Sequence, residues 1–153
     1  MTIQTAKTDI LYARDYCLWL ETTIEKLRQK QFDVVDWENV IEELESVGRS
    51  DRRAVKNLLT RLFEHLLKLG YWKSEREYNA NKWKGEIRNF RQQIKDELKA
   101  SPSLKNYLIE VFPECYRNAR DILADTSGLS IDTFPEEPIV TVEQALDESY
   151  LTR

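Results

Sequence analysis

Apolar residues along this chain recur mainly at three- and four-residue steps, the repeat of an amphipathic helix rather than a strand. Tyr12, Tyr16, Leu20, Ile24 and Leu27 form the first such series, flanked by Cys17 and Trp19. With Thr8 or Asp9 as the cap, they predict a helix to about Lys30, preceded by a frayed tail. Phe32, Val34 and Val35 read as a short connector. Asp36 can then accept from the free N–H groups of a new first turn, and Trp37, Val40, Ile41, Leu44 and Val47 make a second stripe. Gly48 can adopt the left-handed conformation that ends a helix. Ser50 can cap the next helix, with Asp51 against its positive end. Val55, Leu58, Leu59, Leu62, Leu66 and Leu69 carry the third stripe as far as Gly70. The pattern thus predicts helix, break and helix, a hairpin around which the fold is organised. It also predicts buried Trp37 and Trp83 and a partly exposed Trp19.

Residues 71–81 have no clear period and read as a polar, aromatic-rich connector. Trp83, Ile87, Phe90, Ile94 and Leu98 predict a helix from about Asn81 to Lys99, weakened by Gly85 by about 1 kcal/mol relative to Ala. Ser101 followed by Pro102 is a helix start, since proline needs no N–H partner at the first helical position. Leu104, Leu108, Val111 and Phe112 lead to Pro113, where a kink or restart is expected. Cys115, Tyr116, Ala119, Ile122 and Leu123 continue the face to a stop at Gly128. Beyond Leu129 the chain is acidic and contains Pro135 and Pro138. There Thr141 and Gln144 fit a capping box for a short helix around Glu143–Asp147. Ile139–Val142 is the one strand candidate. The expected fold is all-α, a compact antiparallel bundle of five or six helices with a short acidic C-terminal segment. The 153 residues suit a single domain with its core at about 8–128 and an acidic tail over 129–153.

Composition narrows this picture. The chain is 41% apolar and 33% charged, with four Gly and four Pro, which fits helices with solvated faces and disfavours a turn-rich β-sandwich. A net charge of −4 argues against a protein that coats nucleic acid and leaves room for a local basic face. Cys17 and Cys115 form no disulfide framework and read as reduced, mostly buried thiols, which with the polar N-terminus points to a cytoplasmic protein. No apolar run approaches the ~20 residues needed to span a bilayer, so no membrane partner is expected.

The string FDVVDWENVIEELESVGRSDRR is specific enough to carry a resemblance. It resembles the signature of the bacterial domain-of-unknown-function family twenty-nine, largely cyanobacterial and proteobacterial: a D-W-E-N start, an acidic run, a G-R-S break and a basic restart. His65–Leu66–Leu67–Lys68, Trp83 with Ile87, Ser101–Pro102–Ser103–Leu104, Phe134–Pro135–Glu136–Glu137 and Leu146–Asp147–Glu148 also match, so the resemblance spans roughly residues 8–151. It implies an all-helical domain and transfers no activity.

Three groups of residues are candidates for chemistry. The acidic run Asp36, Glu38, Glu42, Glu43 and Glu45 precedes the basic Arg49, Arg52, Arg53 and Lys56, and is expected to pair with it across the hairpin. A carboxylate-bridged metal pair wants Glu-x-x-His on two helices; the chain has one histidine, beside Glu64, so neither metal nor cofactor is expected. Arg61 and His65 stand one helical turn apart and are the catalytic candidates. They are similar to the Arg and His of small helical toxin-system ribonucleases of the higher-eukaryote-and-prokaryote-nucleotide-binding type, at a shorter spacing than those use. His65 is also expected to lie partly buried at a helix seam, its ring bonded to a carboxylate or carbonyl. Lys82, Lys84, Arg88, Arg91 and Lys95, with nearby Tyr and Trp, are candidates for nucleic-acid binding by phosphate contact and stacking. The function expected first is non-enzymatic, an interaction or regulatory module that binds another protein or itself. The alternative is a nucleic-acid-binding protein or divergent helical ribonuclease of a small operon.

Overall fold

A computed structural model describes residues 11–151 of the chain, so the expected caps Thr8 and Asp9 lie outside the described residues. The fold is all-α, with no strand among the described residues, Ile139–Val142 included. The chain divides into two compact units, Met1–Arg49 and Ser50–Arg153.

In the first unit a helical turn at residues 11–14 leads into α1, Tyr16–Arg28, capped by the Asp15 carboxylate accepting from the Leu18 N–H. α1 ends when Lys30 turns left-handed, at φ 57°. The Lys30 and Gln31 N–H groups then donate to the Leu27 and Lys26 carbonyls, satisfying two groups the helix end leaves free. A 3-10 turn, Phe32–Val34, and the buried Asp36 lead into α2, Trp37–Tyr71. Asp36 accepts from the Asn39 backbone N–H and side-chain amide, as a cap should.

Within this unit the 11–14 turn and α1 meet α2 through Tyr12 and Tyr16, whose hydroxyls both donate to Glu43. The inward series of α1 differs from the one the apolar spacing suggests. Trp19 is 1% exposed and Thr23 is buried, whereas Tyr16 and Ile24 are exposed. The Trp19 ring meets the Tyr12 ring edge-on at 4.8 Å, and a polar threonine at the next inward position disguises the period. Cys17, expected to be buried, is exposed.

The largest correction concerns Gly48. α2 runs unbroken for 35 residues, so there is neither a break at Gly48 nor a hairpin between residues 36 and 70. Gly48 does not have positive φ. Glycine inside a helix costs only about 1 kcal/mol, which the rest of a long helix can carry. Arg49 also ties the two sides together, reaching back to Glu42 at 2.8 Å and to Glu45 at 3.7 Å. Acidic and basic residues therefore pair along one helix instead of across two.

In the second unit, Tyr71 ends α2 and Trp72 alone separates it from α3, Lys73–Ala100. The expected connector over 71–81 is thus mostly helix. Its period is invisible because much of its face is solvated, with Tyr78 82% exposed. Arg76 donates to the Gly70 carbonyl at 2.9 Å, satisfying an acceptor at the end of α2. α4, Leu104–Ser127, begins just after the Ser-Pro pair and continues through Pro113 without interruption. Val111, Phe112, Cys115 and Tyr116 around the proline are all buried, and this packing offsets the lost hydrogen bond. Gly128, at φ 72°, closes α4 as expected.

The core of this unit joins α2, α3, α4 and the C-terminal segment. Phe63 packs edge-on against Phe112 and Tyr116. A 3-10 turn, Ile131–Thr133, and α5, Val142–Leu146, follow. The Thr141–Gln144 capping box is present in full. Phe134, Val140 and Ala145 are buried with the helices, so the acidic segment is stitched into the core. Tyr116 donates to the Pro135 carbonyl and Arg120 to the Phe134 carbonyl, fixing its course.

Candidate functional site

The second stripe of the sequence faces solvent. Trp37 is 45% exposed and Leu44 69% exposed, and Ile41 and Val47 are likewise open. This overturns the expected burial of Trp37, as Trp19 overturns its expected exposure; Trp83 is buried as predicted. The reason lies in the rotation of α2. Glu43 faces α1 through the two tyrosines. That turns Trp37, Ile41, Leu44 and Gly48, at alternating four- and three-residue steps, onto a different side of the helix. Nothing lies within 4 Å of where a Gly48 Cβ would be.

The exposed stripe is also held in shape. The Trp37 indole N–H donates to the Phe32 carbonyl at 3.0 Å, and the Phe32 ring, itself exposed, lies 6.3 Å away. Glu38 and Glu45 run alongside, with Arg49 at the far end reaching Glu45. The two tyrosine hydroxyls hold the Glu43 carboxyl below its ordinary value, and that carboxylate in turn pushes the Tyr12 hydroxyl up to about 12. Trp19 keeps a buried indole N–H without a partner.

In the second unit a hollow of about 400 Å³ is lined by Asn57, Thr60, Arg61, Glu64, His65 and Ile122. The structure thus brings Arg61 and His65 to one place, with Arg61 exposed and His65 only 8% exposed. The His65 ring is fully engaged. Its Nδ1 lies 2.8 Å from the Arg61 carbonyl, and its Nε2 2.5 Å from the Glu86 carboxylate. A carbonyl only accepts, so Nδ1 carries a proton, and His65 and Glu86 share whatever proton lies between them. Glu64, beside them, has its carboxyl raised by burial, against the opposing pull of Lys68, His65 and Arg61.

The basic candidates on α3 do not form one surface. Arg91 is 1% exposed, so it cannot reach a phosphate, and this corrects its placement among the solvated cations. Its Nε donates to the Ala145 carbonyl at 2.7 Å and its Nη2 to the Gln144 carbonyl at 3.3 Å, pinning the end of α5. Burial lowers its pKa, while Asp147 and Glu148 oppose that shift. Lys95 pairs with Glu148 at 3.1 Å. Lys82, Lys84 and Arg88 remain exposed. The sequence did carry a signal for Arg91, which continues the inward row of Ile87 at a four-residue step.

The exposed stripe was the feature sequence reasoning missed, because apolar periodicity gives a helical face and not what covers it. The described residues thus form an all-α protein whose open chemistry is an apolar stripe beside acidic residues on its longest helix. No described helix is long and apolar enough to cross a membrane. The chain belongs to the DUF29 family, a domain of unknown function, whose model matches residues 11–151. No curated protein and no solved structure matches the chain.

Proposed function

We propose that the protein is a non-enzymatic interaction module that holds another protein against the α2 stripe of its first unit. The observation that carries this reading is the row Trp37, Ile41 and Leu44, large apolar side chains on one helical face with much of their surface in water. Such a row costs solubility when bare and gains free energy when covered. Trp37 is fixed by its hydrogen bond to Phe32, so little side-chain freedom is lost when a partner closes over it. Tryptophan is also the residue type that most often dominates binding energy at interfaces.

The alternative, a nucleic-acid-binding protein, has a narrower basis. Tyr78 and Lys82 are exposed one turn apart on α3, with Lys84 and Arg88 nearby. A ribonuclease reading would need a free ring nitrogen on His65, and both are engaged.

Photo-crosslinking in cells of the source organism tests the choice. A benzophenone side chain at position 44 is expected to capture a discrete protein, and the same group at position 78 is not. Removing Trp37 should abolish the adduct at 44. Protein adducts absent at 44, or nucleic acid captured at 78, would refute the interaction reading.

A further inference from the structure

The apolar stripe has features that define the chemistry of what fits it. Trp37, Ile41, Leu44 and Gly48 repeat at the four-then-three spacing of a coiled-coil seam, so a helix with a matching row can lie along it. Gly48 leaves bare backbone at the end of the row, with open space where a side chain would begin. That lets a partner helix approach closely at this point. The seam's flank is acidic. Glu38 and Glu45 stand at the flanking positions on one side of it and Val40 and Val47 on the other, and Arg49 offsets the charge only at the last turn, where it reaches Glu45 and, further round the helix, Glu42. Asp33, exposed just upstream, adds to the same sign. In helix pairs, charges beside the seam set partner choice, and opposite signs are favoured.

We infer that the stripe receives a basic amphipathic helix, an apolar row flanked by lysine or arginine, supplied by another protein. This rests on the interaction reading above. A second copy of this chain in antiparallel register fits less well, because its seam would bring the same carboxylates against Glu38 and Glu45, and like charges at a helix seam repel.

The test uses the full chain and two designed peptides of about three heptads with one identical leucine row, flanked by lysine in one and by glutamate in the other. Binding is followed by calorimetry and by tryptophan fluorescence, with Trp37→Phe identifying the responding indole among the four. The lysine peptide is expected to bind at least about tenfold more tightly than the glutamate peptide. Ile41→Asp with Leu44→Asp should remove that binding, with the helical signal retained because both positions are exposed. Glu38→Lys with Glu45→Lys leaves the row intact and should invert the preference. Two peptides binding alike, and both lost in the aspartate variant, would overturn the basic partner while leaving an interaction surface. The charge inference also fails if neither peptide binds at about millimolar concentration. A wild-type dimer in sedimentation, dissociated by the aspartate variant, would assign the seam to a second copy instead.

Discussion

Gly48→Ala separates one continuous helix from a broken one by the sign of its effect. In α2 the residue is helical, lacks positive φ, and has nothing within 4 Å of the added methyl. No packing change opposes the substitution, so helix propensity decides it. Alanine is favoured over glycine by about 0.8–1.0 kcal/mol in a helix interior, partly because the unfolded chain loses freedom. Had Gly48 been a left-handed helix terminus, the same change would cost about 1 kcal/mol or more. The two structures therefore differ by roughly 2 kcal/mol in their response, and in its direction. Global denaturation is a blunt readout for a chain of two units, since a single transition cannot be assumed. Hydrogen exchange of the amides at residues 46–52 reads the local opening directly. One kcal/mol corresponds to about fivefold slower exchange, at tenfold per 1.4 kcal/mol. Gly128→Ala is the internal control. Gly128 stands at φ 72°, and alanine there should destabilise by about 1 kcal/mol. Faster exchange around position 48 in the alanine variant would refute the continuous helix.

Truncating Trp19 to alanine should cost the first unit about 3–5 kcal/mol and Trp37→Ala less than about 1 kcal/mol, as judged by hydrogen exchange of the α1 amides, since only the first is buried; similar losses at both sites would contradict the burial. Lys30→Gly should stabilise the first unit by about 0.5–1 kcal/mol by relieving the left-handed turn after α1, a gain that slower exchange of the last α1 amides would register. Glu86→Ala leaves the buried His65 Nε2 without its partner and should cost about 1–3 kcal/mol, whereas Glu86→Gln can still donate to a neutral ring and should cost under about 1 kcal/mol; equal losses would remove the hydrogen bond from the account. The Tyr12, Tyr16 and Glu43 cluster should give the first unit a stability plateau with two edges. Glu43 is lowered by its tyrosine partners, so its contribution is present above the ordinary carboxylate range and lost as pH falls through the folded value. Tyr12 is raised from 10.0 to about 12, so its contribution is present below pH 10.0 and lost as pH rises towards about 12. Tyrosinate absorbance should show that late titration and lose one tyrosine's share of it in Tyr12→Phe, because Tyr116, pushed up to about 12 by burial, keeps its own.

The helical class, the inward faces of α3 and α4 apart from the exposed Ile122, the Gly128 stop and the Thr141 capping box were all legible in the sequence. Each depends on local periodicity or on a side chain bonding its own backbone. What was not legible depends on which neighbour covers a face. Ile41 and Val55 both sit in regular helical series, yet one is exposed and the other fully buried. Arg91 reads as a surface cation until α5 supplies two carbonyls for it. Thr23 reads as polar until it is found inside the first unit. Gly48 shows a different limit. The same residue ends one helix and is merely tolerated in another, and local sequence does not separate a loss of about 1 kcal/mol from a stop. Of the candidate site residues, Arg61 and His65 were placed correctly on one face. That the His65 ring would be spent on Glu86, at a sequence separation of 21 residues, needed the fold.

The open stripe raises the question of what keeps its stretch of α2 helical, since burial stabilises most helices in proteins. Here local bonds substitute for it. Asp36 caps the first turn through Asn39, Trp37 is tied to Phe32, Glu43 is gripped by Tyr12 and Tyr16, and Arg49 bridges to Glu42 and Glu45. Exposed ion pairs contribute little each, about 0–1 kcal/mol. The cap and the tyrosine grip act on the side of the helix away from the stripe, so they order it without covering it. A chain that spends its polar bonds in this way presents Trp37, Ile41 and Leu44 on an already formed helix, and a partner need not fold that segment on arrival. That is the condition under which a short seam can bind usefully, because ordering about ten residues on binding would cost roughly 1–2 kcal/mol for each backbone fixed.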